Sequence, residues 1–332
     1  MSVKERRPPF YLGIDLGGTN VKSGVVDDDG RSLSSVSLET HASRGPEAGV
    51  ATLAEAGREA VEASGLSWGE IAGVGLGTPG TMDIPAGMLL EPPNLPGWDH
   101  FPVRDRLAEV LRARTILQND ANAAAYGEYW AGAGRGVRSL VLFTMGTGIG
   151  GGIVEDGRII EGRNSHGGEC GHIIIQMENG RQCGCGGYGH LEAYASATAL
   201  VKRAIEALEQ SDESTALRRH LAAGTLTARS INEASLANDP LAARLMRETA
   251  HYLAVGAVCV MHTINPDLVL FGGGMSNAGP EFIDLIREGV KRMAFPLPAS
   301  HTKIDYATLG GDAGYIGAAG CARMAFGADS GG

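Results

Sequence analysis

Cysteine is scarce in this sequence, and so are aromatic residues and long apolar runs. Its five cysteines among 332 residues are too few for the disulfide framework of a small secreted protein, and two of them stand in a Cys-x-Cys pair. No apolar run approaches the roughly 20 residues that a membrane-spanning helix requires, and no apolar signal segment follows the basic first residues. We therefore expect a protein of the reducing cytoplasm that has no membrane partner.

Positive charge is scarce as well. The 28 lysines and arginines stand against 38 aspartates and glutamates, which gives a formal net charge of −10 and a sequence pI near 5.4. Because such a chain has no general attraction for polyanions, we expect no nucleic-acid partner.

Glycine, in contrast, is abundant. Its 50 residues, about twice the usual share, fall in tight clusters, which indicate places where the backbone closely approaches a ligand.

Length and pattern predict an α/β protein with two domains. A chain of 332 residues is long for a single core. Residues 10–40 have the pattern of a meander of strands and turns. The same strand, glycine turn and strand return from residue 138, which suggests a duplicated architecture. Helical spacing predicts helices at 46–64, across much of 196–264 and near 312–326.

Two glycine turns between predicted strands have the features of phosphate-binding loops. The first follows Asp15 and includes Gly18 and Thr19. Its N–H groups and hydroxyl can donate to phosphate oxygens, and a carboxylate at a strand end can hold Mg²⁺. An ordinary hairpin turn is the alternative. The second turn, around Thr147 and Gly148, contains the spacing Gly-x-Gly-x-x-Gly, but it leads into another hairpin rather than a helix, which disfavours a dinucleotide site.

A third glycine cluster and an acidic pair also follow predicted strands. For Gly272, Gly273 and Gly274, after the strand DLVLF, a tight turn and a nucleotide contact are equally good interpretations. Asn119 and Asp120 follow the strand RTILQ and begin a helix. Asp120 is either the helix N-cap or a carboxylate at the end of a strand, where α/β sheets place their ligands. In the second interpretation it can accept the proton of a hydroxyl that receives a phosphoryl group.

Histidine and cysteine cluster in the segment from residue 172 to residue 190. The four candidate metal ligands are His172, Cys183, Cys185 and His190. Sets of four thiolate and imidazole groups favour tetrahedral zinc, here in a structural role. Unpaired reduced cysteines beside incidental histidines are the alternative. Glu169 and Glu192 flank the cluster, and they either converge on one polyhydroxylated ligand or are ordinary solvated glutamates.

Together these motifs resemble the ROK family of repressors and sugar kinases, and its bacterial glucokinases in particular. The resemblance runs from about Tyr11 to Ala319 and rests on DLGGTNVKSGVV, GTPG, NDANAAAYGE, GTGIGGG, GECGH, CGCGGYGHLEAYAS and LVLFGGG, in that order. It implies an actin-like ATPase, ribonuclease-H-like α/β fold with two domains flanking a deep cleft. We expect a small α/β domain of residues 1–118 plus 311–332, and a large one of residues 119–310 that carries the zinc loop.

The resemblance also implies a reaction, which is the Mg²⁺-assisted, ATP-dependent phosphorylation of glucose to glucose 6-phosphate with Asp120 as general base. The implied sugar contacts are Asn119, Asp120, Glu169, His172 and Glu192, with Gly80 and Asn94 as weaker candidates. The implied ATP contacts are Asp15, Gly18, Thr19, Lys22, Thr147 and Gly148 and, at the adenosine, Gly272, Gly273 and Gly274. The resemblance further implies that His172 places one ring nitrogen on structural Zn²⁺ and the other on the sugar.

The sequence departs from the family pattern at His190, because most members have cysteine there. We expect zinc to bind nonetheless, since two cysteines and two histidines form a common zinc set.

The alternative substrates are fructose, mannose, allose and an N-acetylated hexosamine. A sugar-responsive repressor needs a helix-turn-helix module, for which too few residues precede the first strand, and the His–Cys segment disfavours a non-sugar actin-like ATPase. Analogy with relatives suggests a homodimer.

Overall fold

The computed structural model of the chain describes residues 6–92 and 95–327, which form the following strands and helices. The strands are β1 (Phe10–Leu16), β2 (Asn20–Val26), β3 (Val36–Glu39), β4 (Ile71–Thr78), β5 (Thr81–Asp83), β6 (Met88–Glu91), β7 (Thr115–Asn119), β8 (Ser139–Met145), β9 (Ile149–Glu155), β10 (Arg158–Ile159), β11 (Leu268–Gly272) and β12 (Lys303–Tyr306). The helices are α1 (Pro46–Ser64), α2 (Val103–Leu111), α3 (Asp120–Ala131), α4 (Glu192–Ala195), α5 (Ala197–Gln210), α6 (Leu217–Ala222), α7 (Ala228–Leu236), α8 (Pro240–Ile264), α9 (Pro280–Met293), α10 (Pro296–His301) and α11 (Ala313–Phe326). Among these described helices, none is both long enough and apolar enough to cross a membrane.

The two large sheets repeat one topology. Each has five strands, in the orders β3-β2-β1-β4-β7 and β10-β9-β8-β11-β12. In the first sheet β1 pairs antiparallel with β2 and parallel with β4. In the second, β11 pairs parallel with both β8 and β12. The predicted duplication is confirmed, because the strand that precedes each phosphate-loop candidate occupies the same central position in its sheet.

The boundaries of α1 follow from its terminal residues. Proline, which fixes φ and lacks an N–H, stands at the first helical position, Pro46. Gly65 ends the helix in the left-handed conformation at φ 72°, which glycine adopts without steric cost. The predicted helix at 46–64 is confirmed at both ends.

The described residues form two compact units. They lie within Met1–Val137, Gly152–Gly168 and Thr308–Gly332 for the first unit, and within Arg138–Gly151 and Glu169–Ala307 for the second. The first unit extends past the predicted boundary at residue 118 because α3 packs closely on α11. A Cβ atom at Gly317 of α11 would lie only 1.6 Å from the carbonyl oxygen of Ala123 in α3.

Helix α11 also lies flush against the central strands of the first unit. A Cβ atom at Gly13 of β1 or at Gly75 of β4 would lie 1.8 Å from a carbonyl oxygen of α11, at Tyr315 and Ala318 respectively. Only glycine permits so close an approach of backbone to backbone. The glycines in these strands therefore leave room for α11 to pack directly on the sheet. The first turn of α11 then lies against the end of β1, where Asp15 lies.

Candidate active site

Asp120 opens helix α3 directly after the last residue of β7. The N-cap of this helix is Asn119, whose side-chain oxygen accepts the backbone N–H groups of Ala121 and Asn122 at 3.0 and 3.1 Å. The interpretation of Asp120 as the N-cap is therefore wrong. Asp120 occupies the first helical position, where the helix dipole stabilises a carboxylate, and its Oδ1 accepts the N–H of Ala121 at 2.8 Å. Since Asn119 caps the helix, capping does not account for the presence of an aspartate at position 120.

Asp15, at the end of β1, is close enough to Asp120 for the two charges to interact. The pKa of Asp15 is raised to about 7, chiefly by burial and next by the charge of Asp120, against the lowering effect of Lys22. Lys22 faces Asp15 across the hairpin and donates from Nζ to the carbonyl oxygen of Gly311 at 2.8 Å. Gly314 of α11 packs on the carboxylate, since a Cβ atom there would lie 2.2 Å from Asp15 Oδ2. Two neighbouring carboxylates offer the oxygen ligands that Mg²⁺ prefers.

The raised pKa of Asp15 makes stability depend on pH in a predictable direction. Below pH 4 the carboxyl is protonated in both the folded and the unfolded chain. As pH rises from about 4 to the folded pKa of about 7, ionisation favours the unfolded chain, so the folded protein loses stability. We expect Asp15→Asn to remove this loss. The variant should gain stability relative to the wild type between pH 4 and pH 8, by at most about 4 kcal/mol.

Thermal unfolding of the protein without nucleotide or magnesium, followed across this pH range, measures the effect. Asp212→Asn is the matched control, because Asp212 is exposed and its substitution should leave the pH dependence unchanged. A difference in Tm between Asp15→Asn and the wild type that stays constant from pH 4 to pH 8 would show that the carboxyl has its ordinary pKa.

The first glycine turn joins β1 to β2 and is supported from behind by Thr40. The N–H of Gly17 donates to the carbonyl oxygen of Asn20 at 2.9 Å, and the hydroxyl of Thr40 donates to the carbonyl oxygen of Gly17 at 2.7 Å. Gly18 and Thr19 are exposed. The turn is therefore fixed on one side and open to a ligand on the other.

The second glycine turn, between β8 and β9, is tied to Glu192 at the start of α4. Glu192 Oε2 accepts the N–H of Ile149 at 2.9 Å. A Cβ atom at Gly148 would lie 2.3 Å from the same oxygen, so a larger residue there would displace the Glu192 carboxylate. Thr147 is exposed at the tip of the turn. Glu192 is partly buried and hydrogen-bonded, and it is not an ordinary solvated glutamate.

The four predicted zinc ligands lie together in the second unit. Their ligand atoms all lie within 4.8 Å of one another. Nδ1 of His172 is 3.3 Å from Nδ1 of His190 and 3.8 Å from Sγ of Cys183. Sγ of Cys185 is 3.2 Å from Nδ1 of His190. Tetrahedral zinc, with bonds of about 2.0–2.1 Å to nitrogen and 2.3 Å to sulfur, holds its ligand atoms roughly 3.3–3.8 Å apart, so the cluster fits such an ion.

The second ring nitrogen of His172 faces away from this cluster. His172 Nε2 lies 3.8 Å from Oε2 of Glu169. The short helix that carries the histidine, Cys170–His172, packs tightly on β9, since a Cβ atom at Gly171 would lie 1.8 Å from the carbonyl oxygen of Ile149. The imidazole therefore has one nitrogen in the cluster and the other beside a carboxylate.

The third glycine cluster borders a cavity of about 610 Å³ within the second unit. Gly273 has a φ of 84°, and a Cβ atom there would lie 2.6 Å from the carbonyl oxygen of Met145. The walls include Leu200, Arg229, Asn232, Met246 and Met275. Gly274 and Gly146 also line the cavity, so it adjoins the second glycine turn. A mostly apolar cavity of this size suits a flat heterocycle such as a nucleobase.

Gly80 and Asn94 were the weaker candidates for sugar contacts. Gly80 has a φ of 91° and lies against Pro92, with a Cβ position 2.6 Å from the proline Cα, so the backbone alone requires glycine there. Asn94 lies outside the described residues. Gly311 and Gly314 were not predicted as site residues, although the glycines of LGGDAG before a helix carry the same signal as the other turns.

The chain is similar to known proteins over nearly its whole length. A model of the ROK family matches residues 11–324. The glucokinase of Halalkalibacterium halodurans is 35% identical over 308 residues, which cover 93% of each chain. The crystal structure of a ROK hexokinase from Thermus thermophilus superposes with a TM-score of 0.82 at 34% identity, covering 97% of this chain and 100% of that one. A ROK family glucokinase from Streptomyces griseus, solved in complex with glucose and AMPPNP, gives a TM-score of 0.79 at 34% identity, covering 95% and 99%.

Proposed function

The chain belongs to the ROK family, and we propose that it transfers the terminal phosphoryl group of ATP to glucose, giving glucose 6-phosphate. The predicted family and the predicted α/β, actin-like, ribonuclease-H-like fold with two domains are confirmed by the matches to the family model and to solved ROK structures. The observation that carries the proposal is the position of Asp120. It stands at the first residue of α3, which Asn119 already caps, and it interacts electrostatically with Asp15 beside the first glycine turn.

In the proposed mechanism Asp120 accepts the proton of the glucose C6 hydroxyl as that oxygen attacks phosphorus. The side-chain oxygen of Asn119 is engaged by the helix, so its amide nitrogen is the group that donates to a sugar hydroxyl. Glu169, His172 and Glu192 of the second unit are proposed as further hydroxyl ligands. Asp15 would hold Mg²⁺, which supplies positive charge to the phosphates.

The glycine turns supply the phosphate contacts in this proposal. Backbone N–H groups of Gly18 and Gly148, the hydroxyls of Thr19 and Thr147, and the ammonium of Lys22 offset the negative charge on the phosphates. The exposure of Gly18 and Thr19 beside the fixed Gly17 supports this assignment.

The cavity beside Gly274 supports ATP, rather than polyphosphate, as the donor. Polyphosphate has no group that would fill an apolar cavity, whereas an adenine ring would bury its faces against Leu200, Met246 and Met275. The adjoining second glycine turn is then in position for the phosphates of the same nucleotide.

We also propose that His172, Cys183, Cys185 and His190 bind one structural Zn²⁺. The fit of their spacing to tetrahedral coordination supports this. The ion would fix the orientation of the His172 ring and thereby of the Nε2 atom that faces Glu169. Homodimer formation and a cytoplasmic location stay predictions.

A panel of sugars and phosphoryl donors tests the proposed function. With MgATP and release of ADP as the readout, kcat/KM for glucose should exceed that for fructose, mannose, allose and N-acetylated hexosamines by roughly tenfold or more, because a site built to bond each hydroxyl rejects analogues that leave its polar groups unpaired. Polyphosphate should support much slower turnover of glucose than ATP does. A higher kcat/KM for another hexose would replace glucose as the substrate.

A further inference from the structure

Gln118 directly precedes Asn119 and Asp120. Its side chain is buried, and both the oxygen and the nitrogen of its amide have hydrogen-bond partners. It is only 2% exposed. Its Oε1 accepts the backbone N–H of Asn119 at 2.8 Å and lies 3.4 Å from Nδ2 of Asn122. Its Nε2 donates to Oε1 of Glu161 at 2.7 Å. The amide therefore joins the end of β7 to a residue 43 positions further along the chain.

The position of β7 explains why such a partner is needed. The strand is the last one in its sheet, bonded to β4 on one side only. At this edge the N–H of Asn119 donates to Oε1 of the Gln118 side chain rather than to a neighbouring strand. Because a partly buried N–H without a partner is costly, the amide of Gln118 stabilises this backbone conformation directly before the helix.

The chemistry of the partners permits only one orientation of the Gln118 amide. A backbone N–H can only donate, so the oxygen of Gln118 must face Asn119. The NH₂ group then faces Glu161, whose carboxylate can only accept when it is ionised. Glu161 thus fixes the rotation of the amide, and a bond to a charged acceptor is stronger than one between neutral groups.

The segment that carries Glu161 is itself held closely. The N–H of Gly167 donates to the carbonyl oxygen of Glu161 at 2.7 Å. A Cβ atom at Gly167 would lie 2.2 Å from the carbonyl oxygen of Ile160, so the loop closes on itself without a side chain at that point. A further bond, from the N–H of Ile84 to the hydroxyl of Ser165 at 3.1 Å, ties the loop to the rest of the first unit.

We propose that Gln118 and Glu161 are positioning residues for the catalytic base Asp120. The proposal rests on the proposed function. Gln118 fixes the N–H of Asn119, and the Asn119 side chain in turn fixes the N–H groups of Ala121 and Asn122 on the other side of Asp120. The two hydrogen-bonded residues that precede Asp120 therefore set the direction in which α3 leaves the sheet. Neither Gln118 nor Glu161 needs to touch the sugar or the nucleotide for this role.

Exchanging the two polar groups tests the proposal. In Gln118→Glu the new carboxylate faces that of Glu161, at about the 2.7 Å that now separates Gln118 Nε2 from Glu161 Oε1. At this distance the two carboxylates cannot both stay ionised and keep their positions. We expect kcat to fall roughly ten- to a hundredfold, the effect of a displacement of the order of 1 Å, with KM for ATP unchanged. The swap variant Gln118→Glu/Glu161→Gln restores an amide–carboxylate pair whose carboxylate still accepts from Asn119, so kcat should return to within about threefold of wild type.

Two further variants keep the test decisive if Gln118→Glu folds poorly. Glu161→Leu removes only the acceptor and should lower kcat, whereas Glu161→Gln keeps a carbonyl acceptor and should lower it far less. Val290→Ala, a buried substitution in α9 of the other unit, controls for stability, since it should lower Tm without lowering kcat.

A swap variant no faster than Gln118→Glu would overturn the proposal. So would variants of Gln118 and Glu161 that lower Tm and leave kcat intact, since these would show a purely structural role. All variants are compared on whichever hexose the wild type turns over. A wild type without hexose kinase activity would defeat the proposed function instead, and the two failures are therefore distinguishable.

Discussion

Asp120→Asn is expected to lower kcat by roughly 10²–10⁴-fold, the contribution of a positioned proton acceptor, while KM for glucose stays within about threefold. Asparagine has the shape of aspartate and its side-chain oxygen can still accept the N–H of Ala121, which Asp120 accepts at 2.8 Å. Helix α3 should therefore begin in the same way, because its cap is Asn119. What is lost is the ability to take up the proton of the attacking hydroxyl. Steady-state kinetics with glucose and MgATP measure both constants.

The control for this substitution is Asp212→Asn, which removes one carboxylate from an exposed position of the second unit. It should retain the wild-type kcat and KM. An Asp120→Asn variant with near wild-type turnover would rule out Asp120 as the base. A variant with unchanged kcat and a greatly raised KM for glucose would instead assign Asp120 to sugar binding alone.

Cys183→Ala should leave the protein without bound zinc and raise KM for glucose by roughly 10- to 100-fold, the usual range when the support of a metal-bound group is lost. The reason is the double position of His172. Its Nδ1 lies 3.8 Å from Cys183 Sγ in the cluster, while its Nε2 faces Glu169. Without the ion the ring loses the contact that fixes its rotation. KM for ATP should change little, because the cavity beside Gly274 does not include the cluster.

Metal analysis of the purified protein, together with the two KM values, measures this effect. Cys259→Ala, a cysteine of α8 that is not part of the cluster, should keep one zinc per chain and the wild-type KM for glucose. Far less than one zinc per chain in the wild type would refute the zinc assignment. Zinc loss from Cys183→Ala with an unchanged KM for glucose would refute the link between the metal and the sugar.

Features that depend on neighbouring residues could be predicted from the sequence. Pro46 and Gly65 fix both ends of α1 because each has a backbone preference that suits only its own end of a helix. The four candidate zinc ligands lie together because they are close in the chain and separated by glycines. The repeated strand–glycine turn–strand pattern predicted a duplicated architecture for the same local reason, and the two sheet orders confirm it.

Features that depend on distant residues could not be predicted. Asparagine and aspartate are equally good N-caps, so only the structure distinguishes Asn119 as the cap from Asp120 as the first helical residue. The bond between Gln118 and Glu161 spans 43 positions, and no spacing in the sequence indicates it. The pKa of Asp15 depends on burial beneath α11, at the other end of the chain. The domain boundary was predicted too early because the packing of α3 on α11 has no local signal.

The most direct test of the central claim is identification of the product by ³¹P and ¹³C NMR after incubation of the purified protein with glucose and MgATP. We expect glucose 6-phosphate and ADP in equal amounts, and almost no product when Asp120→Asn replaces the wild type. No phosphorylated sugar from the wild type, or phosphate on a hydroxyl other than that of C6, would contradict it.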